Sequence, residues 1–507
     1  MTDRSARLLE RALLFTFVIH AVAMGTMAFL LLPAMPGGGT ADDAVRIRRI
    51  ADHPWLFRLG WLPWQLTALS DVLIGIGLLR TSWIPKIPAA VTMMLTLAAV
   101  VPDQAGQVLW VTRGIELAQS ADVAGYLAFE TRIFEWIAVW AGVLYTVAAL
   151  GWTWCFAAAG TWSRLLTGIS LVLWPLFLYA NGGPKLPAAI RPSPEIVAGG
   201  NAVAFLMLQL WFALVTEKIL RRSRPDAAHG RQAPWRHPGR VLGRVVDLVA
   251  NSRFVRAFAE LPPPLAMVSD ITDVVYVNYV VDASRLELLV PPGLELQKVG
   301  DGGRLAVFTF LTFRHGRFGP RLLGPLRRLL PSPIHTNWRI HVRDPRSGKH
   351  GIYFLTNAID RTPHALGARL MSEGMPMHVA AKAEIRTVDG RILVKVDPGA
   401  GTAPDVDAEL RACPAPATGP WSSAFGSWKE MLGYVVPQDR GFSTQPWHGR
   451  VTRQEIRLDI PVEACEPLEG TVTSRAAAAI VGNAEPFCFR VASVRFRFDS
   501  EEYDPLR

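Results

Sequence analysis

The residues with the most chemistry in this chain stand on one short stretch, Asn337-Trp338-Arg339-Ile340-His341-Val342. If the stretch is extended, its period of two puts Asn337, Arg339 and His341 on one face and Trp338, Ile340 and Val342 on the other. An arginine beside a histidine and an amide suits a carboxylate or another small anion, provided the sheet curls so that this face lines a cavity. On a flat sheet the same face is simply solvated. Further along, His378 precedes the apolar run Val379–Ile385, which carries Lys382. A histidine is a candidate general base, and a buried lysine a candidate nucleophile, although a lysine here also fits a surface salt bridge. Arg369, shortly before, adds a cation for an anionic group. The candidates are therefore His378 and Lys382 for catalysis, and Asn337, Arg339, His341 and Arg369 for ligand binding.

Several large classes are excluded. The chain has no phosphate-binding loop of Walker spacing, no GxGxxG and no HExxH. It has no GxSxG elbow either. Cys155, Cys413, Cys465 and Cys488 lack the close spacing of a zinc site or a redox pair, so reduced thiols, no structural metal and no cofactor are expected.

The elements that must hold these residues come from a second, mostly β half. Val274–Val281, Leu305–Phe313, Trp338–Val342, Ile352–Thr356, Ala383–Val396, Arg453–Ile460 and Phe487–Phe498 read as strands. Turns are marked by Pro291-Pro292-Gly293, Asp301-Gly302-Gly303, Ser347-Gly348 and Asp389-Gly390. A largely antiparallel sheet, closed or strongly curved, is the economical architecture. The basic, leucine-rich segment Arg314–Leu330 reads as a flap or surface helix, and the loops around Pro437–Arg440 and Gln445–Trp447 as possible rims or plain turns.

The first half is different in kind. Half of the 507 residues are hydrophobic, and they gather in runs near Ala12–Leu32, Leu62–Leu79, Ile84–Val101, Ile133–Ala157, Leu165–Tyr179 and Ile196–Leu220. About 20 apolar residues span the hydrocarbon core, so five or six transmembrane helices are expected. Lysine and arginine favour Arg4–Arg11, Arg80–Lys86, Arg164 and Lys218–Arg224, which places both termini in the cytoplasm and the protein in the inner membrane. The first outer loop dissents, with Arg46, Arg48, Arg49 and Arg58 in an amphipathic stretch. Inside the spans, His20, Asp71 and Glu135 are costly in lipid, each a functional candidate or a satisfied structural residue.

Between the halves, ten lysines and arginines lie from Lys218 to Arg256 against Asp226 and Asp247, and Val241–Val249 has amphipathic helical spacing. A helix on anionic lipid head groups, or one packed on the soluble domain, accounts for it. No nucleic-acid module accompanies the net charge of +10. The expected domains are a transmembrane bundle at 1–220, a juxtamembrane linker at 221–260 and a cytoplasmic β domain at 261–507.

The ordered set of Asp282 with the turn Val290–Leu294, then Phe308–Phe313, Asn337–Val342, Gly351–Phe354 and Ala368–Pro376 resembles the YqjF-like uncharacterised domain of the acetoacetate-decarboxylase-like superfamily. The resemblance covers roughly Leu261–Phe498. It implies a cone-like antiparallel β-barrel around a small-molecule cavity. In true acetoacetate decarboxylases a Schiff-base lysine follows a Gly-x-Pro pattern; here Gly374-Met375-Pro376 is followed by Met377 and His378. Neither a thioether nor an imidazole forms the iminium that this chemistry needs. Three functions stay open: a membrane-tethered domain that binds a small anionic or amphipathic molecule, a membrane-bound lyase or hydrolase using His378, Arg339 or Lys382, and a transporter with a regulatory domain.

Overall fold

A computed structural model describes residues 4–36, 38, 42–223, 235–239, 241–261, 267–371, 376–436, 440–445, 450–458 and 460–505. The chain divides into two compact units, within 3–224 and within 225–507.

The first unit contains six helices long and apolar enough to cross a membrane: α1 (Arg7–Ala34), α2 (Pro54–Arg80), α3 (Lys86–Gln119), α4 (Val123–Ala158), α5 (Arg164–Lys185) and α6 (Ile196–Ser223). Their buried seam is aromatic and aliphatic, with Trp152, Phe156, Trp174, Trp211 and Phe212 packed together. The basic stretch before α2 forms a short helix, Asp43–Asp52. Its Arg46 is not on the surface: it is buried and holds both carboxylate oxygens of Glu130, at 2.7 and 2.5 Å. The forked guanidinium matches the carboxylate, so two desolvated charges satisfy each other. Glu135 pairs with Lys185 at 2.5 Å, and both side chains are exposed. His20 pairs with the Thr16 carbonyl oxygen and lies against Phe212.

The second unit opens with the helices α7 (Val241–Ala250) and α8 (Arg253–Ala259). The strands follow: β1 (Met267–Asp282), β2 (Glu295–Leu296), β3 (Leu305–Pro320), β4 (Ile334–Arg343), β5 (His350–Ile359), β6 (Met377–Val379), β7 (Lys382–Val388), β8 (Arg391–Asp397), β9 (Val406–Ala412), β10 (Arg440–Gln445), β11 (Arg450–Leu458), β12 (Glu466–Thr473) and β13 (Phe487–Pro505). Helices α9 (Ala283–Glu287), α10 (Thr362–Met371), α11 (Trp428–Val435) and α12 (Arg475–Val481) interrupt them.

Hydrogen bonding runs β1-β3-β4-β5-β10-β11-β13, and β13 pairs back onto β1, so the sheet curls and its path closes. The strands β12, β9, β8 and β7 extend from β13 as an arm. Most pairs are antiparallel, as expected, but β5–β10 and β5–β6 are parallel. The β5–β10 join depends on Gly351, where a Cβ would stand 2.6 Å from the Arg440 carbonyl oxygen. The run Ala383–Val396 is a hairpin rather than one strand. Asp389 and Gly390 both take positive φ and turn the chain between β7 and β8.

Each sheet face has its own core. One carries Phe308, Phe310, Trp338, Ile340 and Val342 against the arm residues Ile392, Val394 and Leu410. The other carries Tyr276, Leu311, Ile352, Phe354 and Phe489 against Trp421, Phe425 and α11 residues Met431, Leu432 and Val435. The segment Arg314–Leu330 continues β3 and then forms a 3-10 stretch, Arg321–Leu329, with Leu322, Leu326 and Leu329 exposed. The juxtamembrane helix α7 uses Ala250 and Val246 to pack on Ile359, Met377 and Val379, while Val245 and Leu248 are exposed.

Candidate functional site

Strand β4 places Asn337, Arg339 and His341 on one face, as its alternation requires. Asn337 is paired across Leu311 and Asn357, Arg339 across Thr309 and Phe354, and His341 across Ile352. All three side chains are buried, at 7%, 3% and 3% exposure, so this is not a solvated outer face. Leu311, Ile352 and Phe354 belong to the core beneath α11. The ring of Tyr434, on α11, lies 4.7 Å from that of His341, which puts the helix over this end of the strand.

The electrostatics are lopsided. Arg339 lies over Tyr276, 5.4 Å from the ring centroid. Its Nε and Nη2 have no hydrogen-bond partner, and among the described residues no carboxylate lies within ion-pair distance of it. His341 Nε2, Asn337 Oδ1 and the Tyr434 hydroxyl are buried without partners as well. Burial, and then the charge of Arg339, push His341 down to about 3, so its imidazole is neutral at ordinary pH. Burial holds the Tyr276 hydroxyl up, opposed by Arg339. A buried unpaired cation costs several kcal/mol, and unmade polar bonds around it cost about 1–3 kcal/mol each.

A second polar group continues this face. His335 stands two residues before Asn337, and its Nδ1 is 3.0 Å from His315 Nε2. His315 Nδ1 is in turn 2.8 Å from the Ser269 hydroxyl. Burial pushes His335 down to about 4 and His315 well below its usual value. Sequence reasoning missed His335, although extending the same alternation by one step reaches it. It also missed Tyr276 and Tyr434, which reach the site from β1 and α11; no local pattern marks them.

The other candidates lie elsewhere. His378 is paired with Ala358, and Ala358 with Thr336, so it falls on the opposite face from Arg339. Its Nδ1 is 2.9 Å from Thr402 Oγ1, and burial followed by the charge of Arg369 pushes it down to about 3. Met377, paired with Asn357, takes the Asn337 side. Met377 and His378 are thus split between faces, the thioether on the side of the buried arginine. Lys382 is exposed and pairs with Glu384 at 3.2 Å, as a surface lysine does. Arg369 is buried but turned to α7: its Nε donates to the Ala250 carbonyl at 3.0 Å and its Nη2 to Asn251 Oδ1 at 3.2 Å. It is a clamp on the juxtamembrane helix and does not join Arg339. Gly374 and Met375, like Pro437, Gln438, Asp439, Pro446 and Trp447, lie outside the described residues. Among the described residues no group of three His, Cys, Asp or Glu side chains is arranged to hold a metal.

With this geometry in place, the comparisons with known proteins concern the β unit alone. Residues 269–459 match DUF2071, described as an uncharacterized conserved protein. This DUF2071 region contains β4 and every residue around Arg339 named above except β13. No curated protein matches the chain. Among solved structures, acetoacetate decarboxylase from Legionella pneumophila subsp. pneumophila str. Philadelphia 1 is 12% identical, with a TM-score of 0.34 over 48% of this chain and 88% of that one. The enduracididine biosynthesis enzyme MppR with HEPES buffer bound is 17% identical, with a TM-score of 0.34 over 48% and 89%. An acetoacetate decarboxylase-like enzyme from Sphingomonas wittichii RW1 is 12% identical, with a TM-score of 0.35 over 49% and 96%. Likenesses this distant assign no chemistry to the DUF2071 region.

Proposed function

We propose that the DUF2071 region is a binding domain for a small organic anion, held at Arg339 under α11 and tethered to the membrane by the helical unit. The observation that carries this reading is the buried guanidinium of Arg339, whose Nε and Nη2 lack partners and which has no carboxylate beside it among the described residues, next to three further polar atoms that lack partners. Two free N–H directions suit a carboxylate, which would neutralise the charge and satisfy Nε and Nη2 together. Neutral His341 and Tyr434 each supply a donor or acceptor, and Asn337 Oδ1 accepts from a hydroxyl or amine on the same ligand. The ligand class is therefore a small carboxylate bearing a polar substituent. Tyr434 also lines an open groove with Leu288, Val290, Leu294 and Gln297, and in this reading the ligand enters from that side.

In this reading the β unit lies on the cytoplasmic side of the inner membrane, because lysine and arginine concentrate in the segments assigned inside. The exposed Val245 and Leu248 of the basic helix α7 then rest on anionic lipid head groups.

The test is a thermal-shift screen of the full chain in detergent micelles against hydroxy, keto and amino carboxylates, with the matching neutral amides as controls. Stabilisation by acids and not by amides, lost in Arg339→Met, is expected. Equal response to acids and amides, or a response that survives Arg339→Met, overturns the proposal.

A further inference from the structure

One end of the β unit carries an apolar surface that the site above does not use. Where β3 runs out at Pro320, the chain leaves the sheet as the 3-10 stretch Arg321–Leu329 and returns to it at Ile334, the first residue of β4. Leu322, Leu326 and Leu329 stand 73%, 62% and 83% exposed. The base of this excursion is fixed. Arg327 Nε donates to the Arg317 carbonyl oxygen at 2.9 Å, and its Nη2 to that of Val268 at 3.0 Å. Leu330 packs on Gly319, where a Cβ would stand 2.3 Å from its Cδ1. Gly324, at φ 47°, turns the chain between Leu323 and Pro325. Three leucines are thus held away from a pinned base, where contact with water is unfavourable.

The charge around them points to what covers them. Arg321 and Arg328 are exposed among the leucines, and Arg317 is exposed shortly before them. From Gly302 to Arg343 the chain has eight arginines and no aspartate or glutamate. Leucine with unopposed arginine suits an anionic bilayer, which takes the guanidinium groups at its phosphates and the leucines below them. In a two-fold contact between copies the same arginines would meet one another, which like-charge repulsion opposes.

The position in the fold agrees. The ring of Phe318, just before the excursion, lies 5.7 Å from that of His364 on α10, and Asp360, after β5, accepts from the Ile334 backbone N–H at 3.0 Å. Arg369 of α10 clamps α7, whose Val245 and Leu248 are exposed. Trp235, the first described residue after the spans, packs in the same cluster as Ala250 of α7 and Ile359 of β5. The leucine stretch, α7 and the entry of the chain therefore share one end of the sheet. Leu288, 88% exposed, belongs to the other end: Met267 of β1 pairs with Pro320, whereas Asp282, at the far end of that sixteen-residue strand, leads into α9.

We propose that Arg321–Leu329 is a membrane-docking loop, which sets Leu322, Leu326 and Leu329 into an anionic leaflet and holds this end of the β unit on the bilayer. The six candidate spans of the same chain keep a bilayer within reach, so a weak contact suffices. The inference rests on the approach of the β unit to a membrane in the reading above, and not on the anion site at Arg339.

The experiment uses the full chain in phospholipid vesicles, with Leu326→Cys, Val245→Cys or Leu288→Cys labelled with nitrobenzoxadiazole in a Cys413→Ser background, since the other three cysteines are buried. Lipids carrying a nitroxide on the acyl chain quench a label that enters the leaflet. With phosphatidylglycerol present, quenching at Leu326 is expected to be at least about threefold that at Leu288. It is expected to fall by about half or more in the variant Arg321→Gln with Arg328→Gln, and in about 0.5 M salt. Equal quenching at Leu326 and Leu288 overturns the proposal, as does quenching indifferent to both arginines and salt. A blue-shifted label at Leu326 that lipid does not quench also overturns it, because protein then covers the leucines. If Val245 is quenched and Leu326 is not, the docking loop alone fails; if neither is, the membrane placement of the β unit fails with it.

Discussion

The guanidinium of Arg339 lies 5.4 Å from the ring centroid of Tyr276, with no carboxylate opposite it among the described residues. An aromatic face attracts a cation, but contributes about 2 kcal/mol at best when desolvated, less than the cost of burying the charge. In the proposed reading, a bound anion supplies the missing stabilisation.

Replacement of Arg339 by methionine separates folding from binding. Methionine fills much of the same space without a charge, so the β unit is expected to gain roughly 1–3 kcal/mol in the absence of ligand. Urea titration of the full chain, read by pulse proteolysis of the β unit, measures this. A loss of stability would mean that the arginine is a structural residue paired in solution.

Tyr434→Phe removes one hydroxyl next to His341 and leaves the ring. The affinity for a carboxylate hit is expected to fall about threefold to tenfold, the range of one neutral hydrogen bond. Isothermal titration checks it, and an unchanged affinity would take Tyr434 out of the site.

Acid is expected to destabilise the β unit. His341 and His378 are pushed down to about 3 and His335 to about 4 from an ordinary value of 6.5, and His315 lies well below it. Their folded-state values are depressed, so their contribution is complete above 6.5 and is lost as the unfolded chain takes up protons below it. The loss levels off only near 3–4. Each contributes about 1.4 kcal/mol per pH unit inside that window. The urea midpoint is expected to drop steeply between about pH 6.5 and 5, and His341→Gln to lessen the slope by roughly one proton. A midpoint flat over this range would contradict the buried neutral histidines.

Lys382→Ala is expected to change stability by no more than about 0.5 kcal/mol, since its pair with Glu384 is exposed, and to leave carboxylate binding unchanged. Borohydride with a keto acid is expected to leave Lys382 unmodified. Reductive trapping there would revive the Schiff-base reading.

Much of this arrangement was legible in the sequence. The alternation of Asn337, Arg339 and His341 gave their shared face, and the run of apolar segments gave six candidate spans. Burial of the polar face was not legible, because it depends on α11 and on the return of β13 to β1, both far along the chain. The same limit grouped His378 and Arg369 with Arg339: nearness in sequence carried over no information about the face on which β6 pairs with β5. The burial of Arg46 was not legible either, because Glu130, its partner, is 84 positions away.

The most direct measurement is the affinity of the best carboxylate from the screen for the full chain, by isothermal titration, with wild type and Arg339→Met compared in the same buffer. Binding in the wild type and a loss of at least about tenfold in the variant, as expected for a desolvated charge-assisted pair, is the predicted result. Equal affinity in the two proteins would contradict an anion site at Arg339.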